Sequence, residues 1–251
     1  MDIVISGCNG KLGQVITRMA TERGNMQVVA GVDINEKFAT PFPVFASFKE
    51  LPLFSCRVIV DASNPVVLKD LLTYALEHKI ALVLATTGYG AEHLAMVEEA
   101  SKEIPIFIST NMSIGINLLC ELAKTAARVL GGSFDVEIVE AHHNQKLDAP
   151  SGTALTLAGA IAEGLSYEPE YTYERHSRRQ KRNPREIGLH AVRGGTIVGE
   201  HEIIFAGHDE VVKLSHSAMS KEIFAVGALD AAEFIANQPV GKYSMKDMVS
   251  Q

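Results

Sequence analysis

The sequence has no tryptophan, only three cysteines and no long uncharged apolar run. Cys8, Cys56 and Cys120 lack the spacing of a metal-binding motif, and an odd number of cysteines is typical of a reducing compartment. No segment is long and apolar enough to cross a bilayer, and Met1 leads directly into an apolar stretch instead of a charged leader. We therefore expect a cytoplasmic protein without a membrane partner.

Positive charge is also scarce. Lysine and arginine total 23 against 30 acidic residues, which gives a formal net charge of −7. Nucleic-acid-binding domains usually carry a basic surface, so we expect no nucleic-acid partner. Hydrophobic residues make up 47% and charged residues 21% of the 251 residues, which suffices for a packed core in one large domain or two ordinary ones.

The stretch up to Asp33 has the pattern of a dinucleotide-binding unit. An apolar strand over 2–6 is followed by the turn Gly7 to Gly13, which reads G-C-N-G-K-L-G, then by a helix and a second strand ending at Asp33. Glycines let the backbone approach a pyrophosphate, the helix N-terminus faces its charge, and the acid suits the adenosine ribose hydroxyls. The alternative is a tight turn with a coincidental acid. We predict a nicotinamide cofactor.

The second strand of this unit spans 27–32, and strands and helices then alternate as far as a long helix over 114–130. This alternation predicts an α/β fold with a Rossmann-like, doubly wound parallel sheet, which binds ligands at the carboxyl ends of its strands. Small, hydroxyl and amide residues follow the predicted strands at 61–64, 86–88 and 110–111. They either line the cofactor or are simply the residues that strand–helix turns favour.

The composition changes after residue 165. The polar segment 166–186 is rich in arginine and lysine, and β-like runs follow without a helix between them, at 187–192, 196–205 and 210–217. Consecutive strands predict an antiparallel or mixed sheet, hence a second, α+β domain. We predict a dinucleotide-binding domain at 1–110 plus 222–251, and a substrate-binding and oligomerisation domain at 111–221. The basic run at 175–185 is a solvated loop, a localisation or nucleic-acid patch, or an attractor of anionic substrate.

The apolar run at 134–139 predicts a strand. The loop predicted after it, residues 140–153, carries the densest set of reactive side chains and reads E-A-H-H-N-Q-K-L-D-A-P-S-G-T. On a strand, His142 and His143 would point to opposite faces, so one can face a substrate while the other supports it. Lys146 can fix a carboxylate or donate a proton. Ser151 or Thr153 can cap the following helix, whose N-terminus binds anions. The segment therefore suits a small carboxylate substrate.

Three other interpretations of this segment are possible from its residues. A metal site would combine the histidines with Glu140 and Asp148, but adjacent histidines on a strand do not easily reach one ion and no H-E-x-x-H spacing exists, so we expect no metal. The histidines can also be purely structural, because histidine is often partly buried. A nucleophilic Ser151 is disfavoured, since its surroundings do not form the G-x-S-x-G elbow.

The run from Glu140 to Ala154 closely resembles the signature E-x-H-H-x-x-K-x-D-x-P-S-G-T-A of the dihydrodipicolinate reductases, also called 4-hydroxy-tetrahydrodipicolinate reductases. The resemblance extends over essentially the whole chain. The other matching landmarks are Gly7 to Gly13, Ala85 to Gly88, Asn111 to Gly115, Val198 to His201 and the end around Ser220 to Ala228. The resemblance implies reduction of a small cyclic dicarboxylate by hydride from NADH or NADPH, with loss of water, on the diaminopimelate route to lysine. It also implies a homotetramer joined through the substrate domains.

The resemblance further implies which residues form the site. His142 would be a proton donor or acceptor and Lys146 a proton donor, while His143, Gly152 and Thr153 would bind substrate. The implied cofactor contacts are Gly7, Cys8, Asn9, Gly10, Lys11, Leu12, Asp33, Ala85, Thr86, Thr87, Ser109, Thr110, Asn111 and Met112.

The chain departs from the family pattern at several positions. Lys221 stands where many members carry arginine, and a bidentate contact would be lost there. The basic run lacks the glycine spacing often seen in that loop. Ile34 replaces the arginine that meets the 2′-phosphate in some members, and Asp33 would repel that phosphate, so we expect a preference for NADH over NADPH, which Lys37 could offset. Two alternative functions remain: a non-catalytic nucleotide-sensing or assembly protein, and a dehydrogenase for another carboxylate.

Overall fold

The computed structural model describes residues 1–35 and 40–249. They form two units: Met1–Ile114 and Glu222–Gln251 build unit 1, and Gly115–Lys221 builds unit 2. The strands are β1 (Asp2–Ser6), β2 (Gln27–Val32), β3 (Val44–Phe45), β4 (Val58–Asp61), β5 (Ala81–Leu84), β6 (Pro105–Ile108), β7 (Asp135–His142), β8 (Glu170–Thr172), β9 (Glu186–Arg193), β10 (Gly199–Ala206), β11 (Val211–Ala218) and β12 (Gly241–Tyr243). The helices are α1 (Lys11–Arg23), α2 (Leu68–His78), α3 (Ala91–Ala100), α4 (Ile114–Leu130), α5 (Gly152–Gly164), α6 (Glu222–Ile235) and α7 (Met245–Val249). Within these described ranges, no helix combines the length and the apolarity that a bilayer crossing requires.

Unit 1 contains a seven-stranded parallel sheet in the order β12-β6-β5-β4-β1-β2-β3. Its central strands are short apolar runs because both faces are covered. Ile3 and Ile5 of β1 pack with residues of α1 and α6 on one face, whereas Val4 packs with residues of α2 and α3 on the other. The predicted Rossmann-like sheet is therefore confirmed.

Within unit 1, helix α6 packs very close to the backbone of Met112, just before α4. A Cβ built on Gly227 would lie 1.7 Å from the carbonyl oxygen of Met112, so only glycine allows this packing. The alanine-rich buried face of the helix is typical of such close contact. After α6, β12 adds to the sheet in parallel with β6, pairing Gly241 with Pro105. The last part of the chain thus completes the unit that the first part begins.

Unit 2 contains a five-stranded mixed sheet in the order β11-β10-β7-β9-β8. Strand β10 is antiparallel to β7 and β11, whereas β9 is parallel to β7 and β8. Val136 and Ile138 point from β7 into a core shared with α4 and α5. The predicted α+β unit with a mixed sheet is confirmed.

Several sequence-based boundaries were wrong. The strand expected over 134–139 is β7, which runs on to His142, and its alternation places Glu140 and His142 on the buried face. The strands predicted at 187–192 and 196–205 are β9 (Glu186–Arg193) and β10 (Gly199–Ala206), and β7 lies between them in the sheet. Strands β3, β8 and β12 were not predicted, since each has only two or three residues.

Candidate active site

The turn between β1 and α1 packs so closely that two of its residues must be glycine. Gly7 has φ +77° and its Cβ would lie 2.6 Å from the carbonyl oxygen of Ala62. A Cβ on Gly13 would lie 2.0 Å from the carbonyl oxygen of Gly7. Gly10 is the N-cap of α1 and offers no side chain to the first helical turn. The turn therefore presents backbone amides and a helix N-terminus, which suit a pyrophosphate.

A cavity of about 370 Å³ adjoins this turn, and Gly7, Gly10 and Asp33 lie in its wall together with Ala62 and Ser63. The carboxylate of Asp33 accepts the backbone amides of Asn9 at 2.9 Å and Asn35 at 2.8 Å. These bonds fix the carboxylate and leave acceptor positions for ribose hydroxyls. The cradle and the acid therefore fit the adenosine half of a nicotinamide dinucleotide.

Asp61, at the end of β4, ties together the loops beside this cavity. It is fully buried and accepts hydrogen bonds from Thr86 Oγ1 at 2.6 Å, Tyr89 Oη at 3.1 Å and Ser63 Oγ. Thr86 Oγ1 also accepts the Ser63 amide at 2.8 Å. Burial and the Asp61 charge raise the pKa of Tyr89 well above its ordinary value. The sequence suggested this strand end as a cofactor wall but gave no sign of the hydroxyl network.

The other residues expected to contact the cofactor differ in how far their side chains are buried. The side chains of Cys8, Ala85 and Met112 are buried in the core of unit 1, so their backbone is the part that remains for a ligand. Ser109 Oγ donates to the carbonyl oxygen of Asn111 at 2.8 Å, which shapes the turn before α4. The exposed members of the predicted set are Lys11, Thr87 and Thr110. Leu12 is partly buried against the core.

The signature loop of unit 2 connects β7 to α5. Of the two predicted caps, Ser151 is the N-cap of α5: its Oγ accepts the Ala154 amide at 3.1 Å. The Lys146 ammonium lies 2.9 Å from Asp148 Oδ1. The hydrogen bond from Lys146 is the main reason that the pKa of Asp148 is lowered, and the backbone amides of Asp148 and Gly152 lower it further. The loop therefore pairs an ammonium with a carboxylate a few residues before the N-terminus of α5.

Behind this loop lies a buried polar cluster. Glu140 is 1% exposed and accepts hydrogen bonds from Arg193, His142 and the Ser151 amide. Burial alone would raise the pKa of Glu140, but these hydrogen bonds outweigh it and hold the pKa below its ordinary value. His142 is buried on the same face of β7, whereas His143 follows the end of the strand and is only partly buried.

His201 of β10 completes the cluster. Its ring lies edge-on to that of His142, with centroids 5.2 Å apart, and its Nε2 is 3.1 Å from Ser151 Oγ. Burial, and next the proximity of His142, lower the pKa of His201 to about 4, so it is neutral at physiological pH. The sequence assigned no role to His201 or to Arg193. The only signal for His201 was its place in a family landmark, and Arg193 had none.

The basic run divides into two groups. Arg175 contacts Glu137 at 2.7 Å and Glu186 at 2.6 Å, and Arg182 Nη2 donates to the carbonyl oxygen of Glu186 at 2.8 Å. These two guanidinium groups therefore brace the sheet of unit 2. The remaining basic side chains of the run are exposed, namely Arg178, Arg179, Lys181 and Arg185. Across the described parts of the chain, no group of three histidine, cysteine or acidic side chains is arranged to hold a metal ion.

Comparison with known proteins identifies the family. Residues 1–112 match the model of the dihydrodipicolinate reductase N-terminus, and residues 115–249 match that of the C-terminus. The chain belongs to the dihydrodipicolinate reductase family. It is 53% identical over 249 residues to 4-hydroxy-tetrahydrodipicolinate reductase of Caldanaerobacter subterraneus subsp. tengcongensis, covering 99% of this chain and 98% of that one. The corresponding enzyme of Clostridium tetani is 47% identical, with 99% and 96% covered.

A solved structure agrees. The dipicolinate-bound dihydrodipicolinate reductase from Paenisporosarcina sp. TG-14 superposes with a TM-score of 0.83 at 26% identity and covers 99% of both chains. The family resemblance, and with it an NAD(P)H-dependent oxidoreductase of lysine biosynthesis, is therefore confirmed. A dehydrogenase for another carboxylate and a non-catalytic assembly protein are disfavoured. Membership of this family implies a nicotinamide cofactor, either NADH or NADPH.

Proposed function

We propose that this reductase binds the cyclic substrate 4-hydroxy-tetrahydrodipicolinate in unit 2, with one substrate carboxylate in the place now held by Asp148. The supporting observation is that Asp148 already meets the Lys146 ammonium at 2.9 Å in the loop that leads to the N-terminus of α5. A site that holds one carboxylate at this ammonium can exchange it for another. His143 and Thr153, at either end of the loop, would bind the rest of the dicarboxylate.

Lys146 is the proton donor of this proposal. The substrate loses its C4 hydroxyl as water, which leaves a conjugated imine, and the cofactor, when bound, would supply hydride to C4. Reduction of a conjugated imine leaves enamine-like electron density, which a nearby ammonium stabilises and then protonates. Lys146 suits this task because Asp148 holds its ammonium within the loop and its side chain is only 21% exposed. His142, behind the loop, is the second group able to exchange a proton.

Activity tests this assignment directly. Purified protein mixed with freshly generated substrate and NADH should lose the absorbance of the reduced nicotinamide. Lys146→Ala should lower kcat at least roughly a hundredfold, the usual scale of general-acid catalysis. Lys213→Ala is the matched control, because Lys213 is an exposed lysine of unit 2 that also pairs with an acid, Glu202, at 3.0 Å. Near-normal turnover of Lys146→Ala would remove lysine from the proposed mechanism.

The cofactor preference is a separate proposal. Asp33 lies in the cavity wall with its charge fixed by two amides, and it should favour the ribose hydroxyls of NADH over the 2′-phosphate of NADPH. Lys37, the residue that could offset this charge, lies outside the described residues. Comparing kcat/KM for the two cofactors tests the proposal, and a tenfold advantage for NADPH would refute it. Asp33→Asn should bring the kcat/KM values for NADH and NADPH closer together, because it removes the negative charge.

We also infer self-association through unit 2, as a homotetramer. Val212 and Leu214 of β11 pack against the core, so their neighbour Val211 points to the opposite face of the sheet. Val211 and Val192 are 56% and 49% exposed there. Sedimentation equilibrium measures the mass directly. A monomer at micromolar concentration would contradict the inference.

A further inference from the structure

Every acceptor position of the Glu140 carboxylate is used. Oε1 accepts the Ser151 amide at 3.0 Å and Arg193 Nη2 at 2.7 Å. Oε2 accepts Arg193 Nη1 at 2.7 Å and meets His142 Nδ1 at 2.6 Å. A carboxylate has about four lone-pair directions, so this one is saturated. Its partners come from three separate segments: β7, the start of α5 and the end of β9.

These contacts fasten both ends of the signature loop. The carbonyl oxygen of His142, where the loop begins, accepts the Gly194 amide at 2.9 Å. Arg193 donates to the carbonyl oxygen of Asp148 at 2.7 Å while it holds Glu140 in a two-bond fork. Ser151, where the loop ends, donates its amide to Glu140. The Glu140–Arg193 pair therefore determines where the segment carrying Lys146 lies.

The same carboxylate determines the protonation pattern of His142. An ionised carboxylate only accepts hydrogen bonds, so Nδ1 of His142 must carry a hydrogen. In the neutral ring Nε2 is then the basic atom, and proton exchange is confined to Nε2. That atom lies on the side of Gly199, where a Cβ would come within 3.2 Å of it. A side chain at position 199 would thus crowd the reactive nitrogen.

We propose that Glu140 is a positioning residue for the reduction: together with Arg193 it fixes His142 as the Nδ1–H form and seats the loop that carries Lys146. The inference rests on the function proposed above. Stability alone does not account for the pair, because a buried ion pair can often be replaced by apolar residues of similar volume at no cost. By comparison, removing the partner that orients a metal-binding histidine typically costs ten- to a hundredfold in affinity or activity, and we expect a similar scale for His142.

Glu140→Gln separates positioning from structure. Glutamine has the same shape, but its NH2 group sets a second donor against Arg193 in either orientation, and against the Ser151 amide or His142 Nδ1 as well. Nitrogen-15 NMR of the imidazole, assigned with His142→Asn, should show the Nδ1–H form in the wild type and a weaker preference for that form in Glu140→Gln, because one of the two glutamine orientations sets a donor against Nδ1. Turnover should fall at least roughly tenfold, with NADH affinity unchanged because NADH binds unit 1. Arg193→Lys should mainly raise KM for the substrate, since it releases the fork and Asp148 but keeps the charge.

Strand β7 supplies a matched control. Glu137 also contacts an arginine, Arg175 at 2.7 Å, and a histidine, His190 at 2.7 Å, but it lies on the other face of the sheet. Glu137→Gln should leave both the His142 signal and kcat at wild-type values. Should Glu140→Gln fail to fold, Glu140→Asp retains the charge with a shorter reach and should lower kcat while keeping NADH affinity.

The outcomes are distinguishable. An unchanged His142 tautomer together with turnover within twofold of wild type, in Glu140→Gln or in a folded Glu140→Asp, would overturn the positioning role. Full activity of His142→Asn would instead remove His142 from the proposed reaction, and the NMR result would still decide whether Glu140 controls the imidazole.

Discussion

The buried imidazole of His201 should make the stability of unit 2 fall on mild acidification. The folded pKa of His201 is about 4, against an ordinary value of 6.5. Because the folded pKa is the lower one, the unfolded chain takes up the proton first as pH falls. The stabilisation is therefore complete above the ordinary value and is lost as pH falls toward the folded one.

The size of the effect follows from these two values. The gap corresponds to about 3 kcal/mol in total, of which about 2 kcal/mol is lost between roughly pH 7.5 and roughly pH 5. No allowance for solvent screening is needed, because His201 is only 5% exposed. Most carboxylates titrate below this interval, so histidine dominates it.

Urea unfolding, followed by far-ultraviolet circular dichroism at both pH values, measures the loss. The wild type should lose about 2 kcal/mol more than His201→Gln, whose amide does not titrate. His208→Gln, which removes a 99% exposed histidine, should keep the wild-type pH dependence. Equal losses in the wild type and His201→Gln, within roughly 0.5 kcal/mol, would refute the reasoning.

Three other predictions concern single contacts. Gly227→Ala should lower the unfolding temperature of unit 1, because the new Cβ would lie 1.7 Å from the carbonyl oxygen of Met112. Gly159→Ala on α5 is the control: its Cβ would meet no atom within 4 Å, so it should raise the stability of the helix by up to about 1 kcal/mol. Ser151→Ala removes the N-cap of α5 and should cost about 1 kcal/mol or more in denaturant unfolding; no change would mean that the cap is dispensable. Tyr89→Phe takes one donor from buried Asp61 and should cost about 1–3 kcal/mol in thermal unfolding, and an unaltered midpoint would contradict that estimate.

Much of the fold was predictable because local patterns agree with the tertiary structure. The predicted strand 27–32 and helix 114–130 match β2 and α4 to the residue. Both have apolar residues at the spacing that their burial requires. Strand β12 was not predictable in this way, since three residues carry no periodicity and its partner β6 is distant in sequence.

The candidate site was predictable where chemistry is concentrated in one segment. Lys146, Ser151 and Gly152 are close in sequence, so a short motif shows them together. Glu140 was assigned to a loop because polar residues interrupt the apolar pattern, although the strand continues through it. Arg193 was missed because its contact with Glu140 joins residues far apart in sequence, across neighbouring strands whose pairing the sequence did not reveal.

The return of the chain to unit 1 affects the order in which the protein can fold during synthesis. The strands and helices that the structure describes in the core of unit 2 lie between residues 114 and 221, so this unit can assemble before the ribosome adds the segment from Glu222 onward. Unit 1 cannot do so, because its buried helix α6 and the strand that covers the edge of β6 are translated only after unit 2. Until they emerge, the nascent nucleotide-binding sheet has an open edge and a missing core element, the state in which strands join the wrong partner. Premature termination would therefore damage the half of the enzyme encoded first.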